Sequence, residues 1–378
     1  MGIEKGRPRR YVEASQPRER TLNARRNNLT FVRFVAACIV VIGHAQAIVG
    51  HIQTQIFGGS VAVVGVMVFF AISGYLITDS WERNPSVGIF FANRCLRILP
   101  ALAVVTILTA FVLGPTVTSL SVGDYFSNPN LLYFLRNLWL YTTYFLPGVF
   151  EHNPIPNAVN GSLWSLAPEF LCYTIVAAVG LSSPYLRGYA FFALFIGLAA
   201  ACFYYPSYTG PQIVFYATDA FQAASVMMFF MVGAMIRLFR IPLNVYVAAA
   251  LLVGYFLFPG GSPYVRLTLN WLVLSYFALS FGFASFPILN RWDRPGDFSY
   301  GIYVYAFPIQ QTLWYLLDGR ISASEMIVSS LVLSIAAGVG SWHLVEKHAL
   351  KLKPRRRIKV GGARPAVGLV IDGGEVPP

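Results

Sequence analysis

The stretch Leu29–Gly50, LTFVRFVAACIVVIGHAQAIVG, decides how the chain reads. Its length is about that of a membrane-spanning helix, roughly 20 residues at 1.5 Å each. It is mostly apolar, yet it carries Arg33 and His44. An ionisable group inside such a helix costs on the order of 2.5–3.5 kcal/mol, so it is a functional residue by default. Eleven steps of about 100° return the chain to nearly the same direction, which puts both side chains on one face. Along the axis they lie about 16 Å apart. The alternative reading is an arginine reaching back to the interface and a histidine hydrogen-bonded between helices.

The same pattern recurs through the 378 residues. Hydrophobic residues make up 56% and charged residues 12%, against about 25% charged in soluble domains. Mean hydropathy is +0.59. The expected fold is all-α and polytopic, with about ten transmembrane helices and both termini cytoplasmic. The spans are expected at about 29–50, 60–80, 98–115, 161–181, 187–205, 218–238, 242–259, 266–286, 299–317 and 324–345. The semi-apolar piece at 131–150 is read as interfacial or re-entrant. Counting it as a span would put most of the later loop arginines outside, against the positive-inside rule. Residues 1–28 read as a disordered basic cytoplasmic arm. Residues 29–350 form the membrane domain, and 351–378 read as a basic, then Gly/Pro-rich, disordered tail.

The net charge of +12 invites nucleic acid as a partner. Its concentration in the two tails instead fits topology and contact with anionic membrane lipid. Cys38, Cys95, Cys172 and Cys202 sit singly in or beside apolar runs, so neither a metal centre nor a disulfide framework is expected.

Four more clusters stand out. Ser73-Gly74 in the second span allows close backbone approach, for a ligand or for a neighbouring helix. Arg94 and Arg97, three residues apart, share a helix face at about the depth of Arg33. Three arginines there suit a polyphosphate, or else simply set topology. Glu169, in Trp164-Ser165-Leu166-Ala167-Pro168-Glu169, enters its span to a depth similar to that of His44. It is therefore expected to orient the imidazole or stabilise its charge. Glu346 is expected to pair with a boundary arginine. Asp219, Gln222 and Asn270 are lesser polar candidates.

These motifs, in this order, resemble the acyltransferase 3 family of bacterial integral-membrane acyltransferases. The elements that carry the resemblance are Arg33-x10-His44, FFAISGYLI at 69–77, Arg94-x-x-Arg97 with Ile98-x-Pro100, Trp164-Ser165-Leu166-x-x-Glu169, SYGIYVY from Ser299, and Trp342 with Glu346. The resemblance covers about residues 27–350. It implies an O-acyltransferase of the bacterial cytoplasmic (inner) membrane. The acyl group, most often acetyl from acetyl-CoA, goes to a hydroxyl of a surface or exported carbohydrate such as exopolysaccharide or lipopolysaccharide. Polysaccharide-assembly proteins would be further partners.

By that resemblance His44 is the catalytic histidine, and Arg33, Arg94 and Arg97 belong to the functional arginines. The depths of the residues add a mechanism: His44 acts as general base or acyl carrier with Glu169 nearby, the three arginines with Ser73 and Gly74 hold the acetyl-CoA, and Trp164, Ser165, Tyr303 and Tyr305 are expected at the acceptor. The chain departs from the family at Ala306, where many members have histidine. A transporter of a glycolipid or anion, and an O-acyltransferase using another donor such as succinyl-CoA, are the competing readings.

Overall fold

The computed structural model describes residues 27–354 apart from Pro259. The basic arm at 1–26 and the Gly/Pro-rich tail at 355–378 lie outside the described residues. Ten helices make the bundle: α1 (Leu29–Ile48), α2 (Val61–Arg83), α3 (Val87–Leu108), α4 (Leu166–Gly180), α5 (Pro184–Tyr204), α6 (Ala220–Leu238), α7 (Val245–Leu257), α8 (Pro263–Phe283), α9 (Ser299–Leu316) and α10 (Ala323–Ser341).

Local chemistry starts these helices where they start. Pro184 and Pro263 occupy first-turn positions, where the missing N–H costs nothing. Asp219 accepts from the Gln222 amide at 2.7 Å to cap α6. Ser322 and Glu325 form a reciprocal capping box on α10. Asn270 accepts from Tyr255 at 2.6 Å, so both Asp219 and Asn270 have structural partners. Two hairpins with two-residue turns, Phe57-Gly58 and Tyr216-Ala217, lead into α2 and α6. All four turn residues have positive φ, as that turn type requires.

Among the described residues, eight helical stretches are long and apolar enough to cross a membrane. The protein is therefore a multi-pass helical membrane protein. The other two bundle helices differ for separate reasons. α7 has 13 residues, about 20 Å, short of a bilayer core of about 30 Å. α9 is long enough but polar, because protein rather than lipid surrounds it. Its Gln310 and Gln311 are fully buried, donating to the Val41 carbonyl and to the Ile155 and Ala158 carbonyls.

The 131–150 piece forms no long helix. A short helix, Pro129–Phe134, and a 3₁₀ turn, Leu135–Trp139, end at Leu140 in the left-handed region. With Val122–Ser127 they close a small core of their own, including Tyr125, Phe134 and Phe150, over the far end of α3. Asn28, assigned above to the arm, is fully buried. It ties the start of α1 to the end of α8 through the Phe281 and Gly282 carbonyls.

α1 and α2 form the centre. α1 packs on α2, α8, α9 and α10, and α2 also packs on α4 and α6. The α2–α6 contact depends on Gly74 and Gly233. A Cβ at Gly74 would sit 2.1 Å from the Phe230 carbonyl oxygen, and one at Gly233 2.2 Å from that of Ala71. Gly74 is therefore a helix-packing residue, and the expectation that it contacts a cofactor is corrected: its open side is filled by α6. Gly74→Ala is expected to force α2 and α6 apart at a cost of about 1–3 kcal/mol. Gly197→Ala, which meets nothing within 4 Å, serves as the neutral control. Thermal unfolding in detergent compares the two.

Candidate functional site

The polar residues of five helices, α1, α2, α3, α4 and α9, converge on one cavity of about 340 Å³. At one end it is lined by Arg33, Arg94, Arg97, Asp297 and Lys353. Asp297, just before α9, bridges two helices. Its Oδ2 accepts from Arg33 of α1 and, at 2.8 Å, from Arg97 of α3. Ser299 donates to its other oxygen at 2.6 Å. Burial alone would raise the Asp297 pKa. The guanidiniums of Arg33 and Arg97 outweigh this and hold it down at about 2.

Arg97 also meets Glu346 at 3.5 Å and lies 5.9 Å from the Trp342 ring centroid. A π turn at Trp342–Glu346 extends α10 to bring Glu346 there. Its carboxyl is buried and accepts from Ser341 at 3.1 Å. Arg94 differs from its neighbours. Its Nε is buried without a hydrogen-bond partner among the described residues, and no carboxylate there pairs with it. Lys353 stands at the same mouth. Partial burial, with Arg94 and Arg97 nearby, depresses its pKa.

At mid-depth stands Glu169. Its Oε1 accepts from Ser73 of α2 at 2.9 Å and from Tyr173, one turn along α4, at 2.6 Å. The opposite end of the cavity is walled by Val66, Phe69, Ser165 and Tyr303. The Tyr303 hydroxyl donates to the Ser162 carbonyl at 2.5 Å. Its single proton being so used, Ser165 donates to it at 2.7 Å.

His44 is not on the cavity wall. Its ring meets Phe307 edge-on, centroids 5.2 Å apart, and Phe307 is one turn beyond Tyr303 on α9. His44 Nδ1 is buried with no partner among the described residues. The expected pairing of His44 with Glu169 is therefore corrected. Glu169 projects from α4 towards α2, while His44 projects from α1 towards α9. Sequence spacing gave their depth but not the direction in which each helix turns its side chain.

Of the other candidates, Trp164 is buried in the main core and its carbonyl accepts from Thr218 at 3.1 Å. Tyr305 packs against the same core. Both lie off the cavity wall. Beyond the bundle, Arg136 stacks over Tyr133 at 4.3 Å, and Trp139 is strongly exposed.

Sequence reasoning missed Asp297, Tyr173, Tyr300 and Lys353. Tyr173 had a signal, four residues after Glu169 on a helix. Asp297 reads in sequence as a residue at a helix start. Its partners are 264 and 200 residues away.

The fold and the site define a bundle of apolar helices around a cavity with arginines at one end. The family model described as an acyltransferase domain matches residues 26–345. The chain belongs to that family, acyltransferase 3, and is a membrane acyltransferase. It is 29% identical over 325 residues to an O-acetyl transferase of Shigella phage Sf6, covering 84% of this chain and 94% of that protein. It is 28% identical over 361 residues to nodulation protein 10 of Rhizobium leguminosarum bv. viciae, covering 87% and 94%. A peptidoglycan O-acetyltransferase, OatA, of Listeria monocytogenes is 30% identical over 179 residues, 41% of this chain and 27% of that protein. No solved structure matches the chain.

Asp297→Asn is expected to destabilise the protein by roughly 3 kcal/mol at neutral pH by leaving Arg33 without its carboxylate and Arg97 with Glu346 alone. The native pKa is about 2, below the unfolded value of about 3.9. The wild-type advantage is therefore complete above about pH 4 and disappears as pH falls towards 2. Unfolding of both proteins across that range measures it.

Proposed function

We propose that the chain transfers an acetyl group from cytoplasmic acetyl-CoA to a hydroxyl of a carbohydrate on the far side of the bacterial inner membrane. The observation that carries this is the cavity itself. It runs from Arg94, whose Nε has no partner among the described residues, to Tyr303, one helical turn before the Phe307 that packs on His44. The relatives named O-acetyl transferase and peptidoglycan O-acetyltransferase support acetyl as the group moved.

Counting α7 and α9 as spans gives ten, with both termini cytoplasmic. The arginine end then faces the cytoplasm and His44 lies in the outer half. The residues fit such a donor. Arg94 and Lys353 supply cationic charge that nearby carboxylates do not cancel, and Arg33 and Arg97 hold the electropositive mouth in shape. Val66, Phe69 and Leu76 line an apolar passage beyond it. The distance from Arg33 to His44, about 16 Å along α1, is one that the pantetheine arm can bridge.

Two chemistries use the unpartnered imidazole nitrogen. As a general base, His44 takes the proton from the acceptor hydroxyl as its oxygen attacks the thioester carbonyl; the imidazolium then protonates the departing thiolate. As a nucleophile, His44 takes the acyl group with loss of the thiol and passes it to the hydroxyl. Movement of Phe69 and Tyr303, whose rings stand 6.1 Å apart, opens the last turn between the cavity and His44.

Acetyl transfer from radiolabelled acetyl-CoA to a surface-glycan fraction tests this in nanodiscs. His44→Ala should abolish transfer and retain donor binding. Arg94→Ala should weaken donor binding about tenfold or more, the loss of one charge-assisted contact. Normal transfer by folded His44→Ala would overturn the mechanism. Movement of a glycolipid or anion without acyl-CoA consumption would favour a transporter, and turnover of succinyl-CoA alone would change the donor.

A further inference from the structure

Glu169 holds a carboxylate at mid-depth, eleven residues from the end of α4 at Gly180, about 16 Å along the axis. Both hydroxyls that reach it, from Ser73 and Tyr173, donate to the same oxygen, Oε1. Among the described residues Oε2 has no hydrogen-bond partner and no cation pairs with it. An ionised carboxylate has about four acceptor sites; Oε2 is not among the sealed unpartnered atoms but is accessible from the cavity, and a ligand that displaced its water without supplying a donor would be penalised. Glu169 lines the cavity, so the missing donor can come from a ligand.

The rest of the cavity restricts what that ligand is. Arg33, Arg94, Arg97 and Lys353 at the mouth oppose entry of a cation. The donor group is therefore neutral and travels on a molecule whose other end is anionic. Above Glu169 the wall is Val66 and Phe69 beside Ser165 and Tyr303, whose hydroxyls are engaged with each other and with the Ser162 carbonyl, which suits a slender chain rather than a sugar. A chain bearing secondary amides behind an anionic head satisfies all three conditions.

We infer that Glu169 Oε2 accepts a hydrogen bond from an amide N–H of the donor's pantetheine arm. This inference rests on the acyl-CoA reading above and deepens it. Ser73 and Tyr173 act through Glu169 as positioning residues: by occupying Oε1 they turn Oε2 into the cavity. The mid-cavity carboxylate thus reads the arm of the donor, while Arg94 at the mouth reads its phosphates. Glu169 has no part in the proton transfers at His44.

The test uses the full chain in nanodiscs and displacement of radiolabelled acetyl-CoA by two halves of the donor. Pantetheine carries the amides without phosphate. Adenosine 3′,5′-bisphosphate carries phosphate without the arm. Glu169→Gln should weaken displacement by pantetheine about tenfold or more, and leave the bisphosphate within about twofold of wild type. Arg94→Ala should do the reverse. Ser73→Ala and Tyr173→Phe should each weaken pantetheine severalfold without affecting the bisphosphate.

Pantetheine displacing label equally well from wild type and Glu169→Gln would overturn the inference and leave the acyl-CoA reading standing. So would failure of pantetheine to compete with wild type while the bisphosphate does. If wild type retains no acetyl-CoA and neither half binds, the acyl-CoA reading itself falls, and this inference with it. Should Glu169→Gln fail to fold, the Ser73→Ala and Tyr173→Phe pair decides the matter by the same selectivity.

Discussion

One carboxylate oxygen, Asp297 Oδ2, accepts from Arg33 of α1 and Arg97 of α3. The arrangement of the arginine end depends on it. Three helices with apolar faces could slide past one another along a lipid-like contact, because apolar packing is weakly directional. A shared carboxylate fixes their relative height. Arg97 carries the same restraint on to α10 through Glu346. The cost of placing these charges in a membrane protein is offset only because each meets its counter-charge and further hydrogen bonds. That is why Ser299 and Ser341 serve the two carboxylates.

With Arg33 and Arg97 committed to carboxylates, the arginine end is only modestly cationic. Arg94 has no carboxylate partner among the described residues, and its Nε has no hydrogen-bond partner there. The same division recurs at Glu169, where one oxygen is satisfied internally and the other faces the cavity. At the far end His44 Nδ1 is likewise buried and, among the described residues, unpartnered.

The small residues between α1, α2 and α6 make this arrangement possible. Backbone contact at Gly74 and Gly233 brings α2 hard against α6, so that the opposite side of α2 presents Ser73, Phe69 and Val66 to the cavity. In the sequence Ser73 and Gly74 read as one small-residue pair that allows close backbone approach. In the structure adjacent residues on a helix point about 100° apart, and the two serve different neighbours.

Membrane character was legible because lipid imposes a long run of apolar residues on each crossing helix. The sequence by itself also determined the depth of Arg33, Arg94, Arg97 and His44, since helix rise is fixed at 1.5 Å per residue, and the family followed from the order of short motifs. Depth says nothing of direction or of neighbours hundreds of residues away. Only the tertiary structure decided that Glu169 faces Ser73 rather than His44, that Asp297 links Arg33 with Arg97, and that Trp164 and Tyr305 pack away from the cavity. Those outcomes depend on how each helix is rotated about its own axis. Rotation is set by close packing against several neighbours at once, a property that no single segment of sequence contains.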